Sequence, residues 1–188
     1  MRNYSVAMKF FKPIFLIGCF FLNSAAADQL DSRLIELFDK LYIAESKKEI
    51  NTLTQDIWKI WDETNDPKIE AYYYRGLEAM RMGDFVMSID LFTRVIEKNP
   101  DFAEGWNKRA TVYYILGQFD KSMIDINKTL LLEPRHFGAM DGMGLIFIQL
   151  QQYDKAMKIY DQMLEIFPHS VDTLAKKKLM QEFISQSI

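Results

Sequence analysis

Apolar residues return at helical spacing near both ends of the chain. The first apolar stripe, which predicts a helix near the beginning, consists of Leu30, Leu34, Ile35, Phe38 and Leu41. A second helix is predicted from Ile50 to Trp61, where the stripe consists of Leu53, Ile57, Ile60 and Trp61. Near the other end, one predicted helix face collects Val171, Leu174, Leu179, Met180 and Phe183. The pattern therefore predicts a helix pair at the start of the chain and a single helix at its end.

The middle of the chain repeats itself every 34 residues. Pro100, Pro134 and Pro168 mark the period. The segments 69–102, 103–136 and 137–170 keep large and small residues in register, and the aligned positions hold Tyr72, Trp106 and Met140; Gly76, Ala110 and Gly144; Ala79, Tyr113 and Phe147; Phe85, Phe119 and Tyr153; Ser88, Ser122 and Ala156; and Phe92, Ile126 and Tyr160. Self-similarity at this period indicates stacked helix pairs.

The sizes of the repeated residues indicate how each helix pair packs. Small residues at two of the aligned positions, one in each predicted helix, let the two backbones cross closely. Gly83 and Gly117 supply a positive φ in the turns of the first two units, and Gln151 takes that place in the third. Each repeat proline ends a second helix, and Asp101 is expected to cap the helix after Pro100. Such a chain is expected to hold other molecules rather than to transform them.

The second unit carries a specific family resemblance. Its residues Glu104 to Ala110, followed by Tyr113, Gly117, Phe119 and Pro134, resemble a near-standard tetratricopeptide repeat (TPR). The resemblance covers residues 69 to 170 and implies an all-α TPR solenoid of antiparallel helix pairs. The predicted divisions are a degenerate N-terminal helix pair at 28–68, TPR units at 69–102, 103–136 and 137–170, and a C-terminal capping helix at 171–188. The runs Ile57–Trp61 and Glu133–Ala139 further resemble a group of small exported TPR proteins of Gram-negative bacteria.

The resemblance also implies a binding surface. In the TPR family the first helix of each pair lines a concave groove, and the corresponding positions of this chain hold Tyr73, Leu77, Met80, Glu104, Asn107, Thr111, Tyr114, Asp141, Leu145 and Ile148. This mixture of groups suits an extended peptide or a helix held by apolar contact and a few hydrogen bonds. TPR domains that bind chaperones grip a terminal carboxylate with lysine and asparagine. The matching positions here hold Tyr73 and Leu77, or Asn107 and Thr111 one unit later, which argues against such a carboxylate clamp.

Four polar residues have both a functional and a structural interpretation. Asn107 can hydrogen-bond the backbone of a bound peptide, or it can brace its own helix. The acids Glu70, Glu104 and Asp172 stand at the start of first helices. They can select a basic partner, or they can serve only to complement the helix dipole.

The basic residues are expected to have structural rather than binding roles. Arg75 and Arg109 stand one repeat apart, and we expect them to extend along apolar surface and pair with nearby acids. The run Lys176–Lys178 interrupts the last apolar stripe. We expect it to form a solvated face, with a partner-binding or lipid-binding patch as the alternative.

The first stretch of the chain predicts export. Three basic residues and no acid precede the apolar residues 14–22, and small residues follow at Ala25–Ala27. We therefore predict that residues 1–27 are a signal peptide cleaved after Ala27, with either Met1 or Met8 as the start. The apolar run is about half of the ~20 residues that span a bilayer, so no permanent membrane helix is expected. The predicted destination is the periplasm or the medium.

Cys19 offers an alternative to this cleavage site. Leu16–Cys19 resembles the lipobox of bacterial lipoproteins, in which the cysteine is lipidated and the chain is cut before it. However, strongly apolar residues follow at 20–22, where a polar tether is usual. Lipidation at Cys19 would make the protein an adaptor anchored in the envelope.

Composition narrows the kinds of partner. The whole chain has 23 basic and 26 acidic residues, and removal of the three basic residues of the signal peptide leaves 20 basic residues. Such an acidic protein is not expected to bind nucleic acid, which requires neutralisation of phosphates. The part after Ala27 also contains no cysteine, which excludes disulfides. Its length and lack of a Gly/Ser- or Pro-rich linker indicate one continuous domain.

The sequence gives little support to catalysis, a metal or a cofactor. The only two histidines, His136 and His169, stand 33 residues apart, which places them in adjacent repeat layers. Gly-rich phosphate loops, zinc-protease helices and serine elbows are missing from the sequence. We therefore expect a scaffold that binds a protein or peptide. The alternatives are the lipid-anchored adaptor and, less favoured, an accessory subunit of an enzyme.

Overall fold

The computed structural model describes residues 31–186, and all regular structure in that range is helical. The predictions for residues 1–27, including Cys19 and the cleavage after Ala27, lie outside the described residues. The helices of the described range are α1 Ser32–Ile43, α2 Lys47–Trp61, α3 Pro67–Arg81, α4 Phe85–Lys98, α5 Ala103–Ile115, α6 Phe119–Leu132, α7 Phe137–Gln149, α8 Tyr153–Ile166 and α9 Val171–Gln186. The predicted helix pairs and the C-terminal helix are therefore present.

The helix boundaries follow local chemistry. The side chains of Asp31, Ser46 and Asp66 each accept a hydrogen bond from the backbone at the start of α1, α2 and α3. The prediction for Asp101 is wrong, because Phe102 is the N-cap residue of α5 and makes no side-chain capping bond. Side-chain caps do occur after the other two repeat prolines: His136 accepts from the backbone N–H of Ala139 at 3.0 Å at the start of α7, and Ser170 Oγ accepts from that of Thr173 at 3.3 Å at the start of α9.

The turns inside the three pairs have the predicted conformation. Gly83 and Gly117 have φ of 78° and 69°, and Gln151 occupies the same region with φ of 57°. A residue with a Cβ can adopt this conformation at a modest cost. The third turn therefore keeps the geometry of the other two without glycine.

The helices of each pair cross at the predicted small residues. A Cβ added at Gly76 would lie 2.7 Å from Cε1 of Phe92, so the first crossing requires glycine. In the first two units the small residue opposite the crossing is a serine, and its hydroxyl makes a hydrogen bond to the first helix. Ser88 Oγ donates to the carbonyl oxygen of Gly76 at 2.9 Å, and Ser122 Oγ donates to that of Ala110 at 2.8 Å. These hydroxyls tie the second helix of a pair to the first.

Arg109 links the two helices of the second pair by an ion pair and reaches the preceding pair by a hydrogen bond. Arg109 donates through Nε and Nη2 to the two carboxylate oxygens of the buried Asp125, at 2.7 and 2.9 Å. Its Nη1 donates to Thr93 of the preceding pair at 3.0 Å. The structural role expected for Arg109 is therefore confirmed. Arg75, by contrast, is exposed and makes no ion pair within residues 31–186.

The N-terminal helix pair packs along the edge of the stack. The apolar residues of α1 and α2, among them Phe38, Ile57 and Trp61, form one cluster with Phe137, Ile166 and Phe167. These partners belong to the connections around Pro134 and Pro168, not to the first TPR unit. The pair thus covers the ends of later units instead of adding a further layer before α3.

The last helix closes the stack. Met180 of α9 is fully buried against α8, and the rings of Tyr153 and Phe183 stack with centroids 5.3 Å apart. Lys178 stands in the register of Gly144, at the place where a further helix would cross. A long side chain there prevents another pair from approaching. None of the helices in residues 31–186 has the length and apolar character to cross a membrane.

Candidate functional site

A pocket of about 200 Å³ opens between the first helices of the second and third units, α5 and α7. We call it the central pocket. Its lining residues are Asn107, Ala110, Thr111, Tyr114, Ser122, Ile126, Gly138, Ala139, Asp141, Gly142 and Leu145. The structure therefore brings together half of the predicted groove residues, namely Asn107, Thr111, Tyr114, Asp141 and Leu145.

Small residues create this space. Ala110 on α5 and Gly138, Ala139 and Gly142 on α7 leave room where larger side chains would meet. The inner wall is apolar, because Ile126 of α6 is buried behind these residues. An apolar pocket with a few polar groups at its edge is the usual form of a binding site.

Two polar side chains of the central pocket donate hydrogen bonds inside the protein. Thr111 Oγ1 donates to the backbone oxygen of Asn107 at 2.9 Å, and Asn107 Nδ2 donates to Glu104 at 3.0 Å. The Asp141 carboxylate, half-buried, accepts from the ammonium of Lys176 on α9. The oxygens of Thr111, Asn107 and Asp141 keep lone pairs that accept hydrogen bonds, while the hydroxyl of Tyr114 can donate or accept.

Beside the central pocket lies a completely buried carboxylate. Glu104, on the first turn of α5, is fully enclosed and satisfied on both oxygens. Oε1 lies 3.0 Å from Nε2 of His136, and Oε2 lies 3.0 Å from Asn107 Nδ2 and 3.2 Å from the ammonium of Lys108. Burial alone would raise the pKa of Glu104, but the bond with His136, the charges nearby and the Asn107 amide outweigh it and lower the pKa to about 2.

His136 connects this carboxylate to the N-terminal helix pair. Because Nδ1 accepts from the Ala139 N–H, Nε2 must carry the proton that faces Glu104. The indole of Trp61 stacks on the imidazole with centroids 4.1 Å apart, and Trp58 meets it edge-on at 5.4 Å. We call Glu104, His136, Trp58 and Trp61 the closed end of the α5–α7 surface. Here the chain itself covers the surface that a ligand would otherwise reach.

Trp58 fits against the backbone of α7. A Cβ added at Gly138 would lie 2.6 Å from Cη2 of Trp58, so only glycine permits this approach. The ammonium of Lys108 lies 4.6 Å from the centroid of the same indole. Trp58 is thus in contact with both α5 and α7.

A second buried polar contact joins α2 to α3. The hydroxyl of Tyr73 donates to Oδ1 of Asp62, just after α2. Burial raises the pKa of Asp62, although the bond from Tyr73 opposes this effect. Tyr73 is fully buried, and burial raises its pKa as well. The contact fixes the end of the N-terminal helix pair to the first TPR unit.

These positions correct part of the predicted groove. Tyr73 and Glu104 are fully buried and offer no surface to a ligand. Tyr73 packs within the cluster of the first unit, and Glu104 is enclosed by His136, Asn107 and Lys108. Asn107 is 6% exposed and hydrogen-bonds within α5, so of its two interpretations the bracing role is the one that the contacts show. Leu77, Met80 and Ile148 are half-buried within their own clusters and do not line the central pocket.

Sequence reasoning missed the closed end. It treated His136 only as an unlikely metal ligand and Trp58 and Trp61 only as core residues. One signal was available: 32 residues separate Glu104 from His136, nearly one repeat, which places both at the starts of adjacent first helices. Within residues 31–186, no group of three His, Cys, Asp or Glu side chains is arranged to hold a metal ion.

The interpretation of the lysine run also changes. Lys176 and Lys177 are half-buried and pair with Asp141 and Asp161, whereas Lys178 is exposed. Only the last of the three lysines therefore fits the expected solvated face. Lys176 lies beside the central pocket through its pairing with Asp141.

One buried hydroxyl near Asp141 lacks a partner. Tyr160 is fully buried, and its Oη makes no hydrogen bond within residues 31–186. Burial, together with the negative charge of Asp141, raises the pKa of Tyr160. The aligned residues Phe92 and Ile126 of the other units carry no such hydroxyl.

Helix pairs stacked at a 34-residue period, with a pocket between consecutive first helices, define a helical-repeat protein. Comparison with protein families matches models of the tetratricopeptide repeat at residues 91–123 and 139–170. The chain belongs to the TPR family.

Relatives and solved structures agree with this assignment. A TPR repeat-containing protein of Rhizobium etli is 29% identical over 158 residues, which cover 81% of this chain and 78% of that protein. Hsp70-Hsp90 organizing protein 1 of Glycine max is 25% identical over 145 residues, and the match covers 77% of this chain but only 24% of that protein. The first TPR domain of Spaghetti (RPAP3), solved bound to the HSP90 peptide SRMEEVD, superposes with a TM-score of 0.60 at 20% identity, covering 65% of this chain and 99% of that one.

Proposed function

We propose that the protein is a non-catalytic scaffold that binds a segment of a partner protein in the central pocket. The observation that carries the proposal is the pocket itself, an apolar space between α5 and α7 with an edge of hydrogen-bond acceptors. Its volume of about 200 Å³ lies below the roughly 300–1,000 Å³ typical of small-molecule sites. It suits one apolar side chain of a larger partner that makes further contacts outside.

The mode of binding follows from the fold. In the solved Spaghetti domain a peptide is bound by a TPR solenoid. A peptide that crosses the first helices of this chain can place one side chain between α5 and α7. The half-buried Tyr114 and Leu145 and the exposed Thr111 then lie within its reach.

The arrangement of titratable groups favours binding over catalysis. Glu104, the most perturbed carboxylate beside the pocket, is enclosed and committed to His136, Asn107 and Lys108. A catalytic acid or base must reach its substrate within hydrogen-bond distance. The central pocket itself contributes one carboxylate, Asp141, which is already paired with Lys176.

We further propose that the protein acts outside the cytoplasm. The support is the basic start, the apolar residues 14–22 and the small residues at Ala25–Ala27. Sequencing of the first residue of the purified protein tests this. Asp28 as the first residue supports export, a lipidated Cys19 supports the anchored adaptor, and an uncut chain that stays in the cytoplasm contradicts both.

Binding in the central pocket can be tested by capture from cells with three tagged proteins. The first is the unchanged chain, and the second carries Thr111→Arg, which places a large side chain at the mouth of the pocket. The third is the matched control Asn127→Arg, which adds the same charge at an exposed residue of α6.

A partner retained by the unchanged chain and by Asn127→Arg, but lost with Thr111→Arg, is expected. Retention by all three proteins would show that the partner binds elsewhere. All three proteins must first unfold at the same urea concentration, so that loss of binding is not loss of folding.

A further inference from the structure

We propose that the partner segment carries a lysine or arginine next to the apolar side chain that fills the central pocket, and that this cation displaces Lys176 from Asp141. The inference rests on the proposed function and names the chemistry of the partner. Its basis is the set of acceptors around the pocket and the exchangeable pairing of Asp141.

The oxygen atoms at the edge of the central pocket favour a ligand group that donates hydrogen bonds. The hydroxyl of Thr111 and the amide of Asn107 already donate to the backbone of Asn107 and to Glu104. Their remaining lone pairs accept hydrogen bonds, as does the carboxylate of Asp141. A lysine or an arginine brings three or five N–H donors and no acceptor, so it matches this edge.

The Asp141–Lys176 pair is exchangeable because it is open to solvent. The two side chains are 30% and 32% exposed, and they come from different helices, α7 and α9. A pair of this kind contributes little to stability, since water solvates either partner well once they part. A second cation can therefore take the place of Lys176 without leaving a buried charge unpaired.

The lining of the pocket shows which member of the Asp141–Lys176 pair a bound ligand contacts. Asp141 lines the central pocket, whereas Lys176 does not. The charges at the closed end are not available, because Glu104 is fully buried and Lys108 lies between it and the ring of Trp58. A segment seated in the pocket thus meets the carboxylate of Asp141 rather than the ammonium of Lys176.

A display library tests the chemistry directly. It consists of nine-residue peptides with a fixed central leucine and random flanks, selected against the immobilised full-length chain. Lysine or arginine beside the leucine is the expected enrichment. Acidic or neutral flanks would overturn this inference and leave the proposed function standing, whereas no enrichment at all would contradict the proposed function as well.

The two members of the ion pair give opposite expected effects on an enriched basic peptide, measured by fluorescence anisotropy. Asp141→Asn is expected to weaken binding about tenfold, because the attracting charge is lost. Lys176→Met is expected to strengthen binding about two- to fivefold, because the competing cation is gone. Lys178→Met, at an exposed lysine on the same helix, is the matched control and should bind like the unchanged chain.

The direction in which Lys176→Met changes the affinity shows whether the ligand displaces Lys176 or is bound by it. A loss of affinity would mean that Lys176 itself holds the ligand and would overturn the inference. Equal affinity of Asp141→Asn and the unchanged chain would overturn it too. Higher salt should weaken the enriched peptide and leave the binding of a variant with glutamine in place of its lysine nearly unchanged.

Discussion

The closed end and the central pocket lie on the same two helices, yet they are opposite in character. At the closed end, Glu104 and His136 are fully buried and hydrogen-bonded to each other, with Trp61 stacked on the imidazole. Two turns further along α5, Thr111 is exposed and lines an open pocket. The difference arises because the N-terminal helix pair covers the first turns of α5 and α7 and stops there.

This difference shows what each region contributes. A buried charge is costly unless it has partners, and Glu104 has three side chains as partners. At the central pocket, the exposed Thr111 and the half-buried Asp141 keep oxygens that can accept further hydrogen bonds. We therefore assign the closed end to stability and the central pocket to binding, and variants in each region should affect different measurements.

The largest expected effect is on stability, from Trp61→Ala. The indole is 5% exposed and packs against Phe38, Phe137 and His136, so its removal leaves a cavity at the centre of the closed end. The free energy of unfolding should fall by about 3–5 kcal/mol. Urea unfolding followed by circular dichroism measures this.

Tyr114→Ala is the comparison for that variant. Tyr114 is half-buried at the central pocket, so its loss should cost clearly less stability than the loss of Trp61. Equal losses in the two variants would contradict the division of roles. Trp61→Ala unfolding like the unchanged chain would show that the N-terminal pair does not pack along the edge as described.

The second effect is a dependence of stability on pH that originates at Glu104. Burial opposes ionisation, but the bond with His136 and the nearby charges hold the pKa at about 2, below its ordinary value of 4.5. A carboxyl whose pKa is lower in the folded state contributes stability that is present above about pH 5 and lost as the pH falls towards 2. The lost stability should be about 3 kcal/mol.

Glu104→Gln isolates this contribution. The amide keeps the size of the side chain but does not titrate, so the difference in unfolding free energy between variant and unchanged chain should shrink as the pH falls from 5 to 3. Asp62 acts in the opposite direction in both proteins, because burial raises its pKa, and the charge of Glu104 adds to this rise in the unchanged chain only. A difference that stays constant with pH would show that the Glu104 carboxylate is not stabilised in the folded protein.

Two glycines of α7 provide the third test. A Cβ at Gly138 would lie 2.6 Å from Trp58, whereas at Gly142 the nearest atom is Cδ1 of Ile126 at 3.4 Å. Gly138→Ala should destabilise the fold by about 1–3 kcal/mol, because Trp58 must move. Gly142→Ala should be neutral or stabilising by up to about 1 kcal/mol, because alanine favours a helix. Similar urea midpoints for the two variants would contradict the close contact of Trp58 with α7.

The repeats could be predicted from the sequence because they are local. Each crossing of small residues, such as Gly76 with Ser88, and each turn, such as the one at Gln151, lies within one 34-residue unit. The same residue types recur three times, so the period is visible without any long-range contact. The pairing of Arg109 with a nearby acid could be predicted as well, because Asp125 follows only 16 residues later in the same unit.

The placement of the N-terminal pair could not be predicted in this way. Trp58 meets Gly138 and His136, and Phe38 meets Phe137, across roughly half of the chain. An apolar stripe shows that α2 must be covered but not by which helix. The family register likewise placed Glu104 in an open groove, although His136, on which Trp61 of the N-terminal pair stacks, encloses it.

The smallest expected effect concerns Tyr160, where the third unit differs from the first. Its buried hydroxyl has no hydrogen-bond partner within the described residues, and the aligned Phe92 shows that the site works with a plain phenyl ring. An unsatisfied buried hydroxyl is costly, so Tyr160→Phe should raise the free energy of unfolding by about 1 kcal/mol. Phe92→Tyr is the reverse change at the matching crossing and should lower it by about 1–3 kcal/mol. If Tyr160→Phe is instead destabilising, the hydroxyl has a hydrogen-bond partner in solution. The nearby carboxylate of Asp141 is then the first candidate, and such a bond would connect the core of the third unit to the edge of the central pocket.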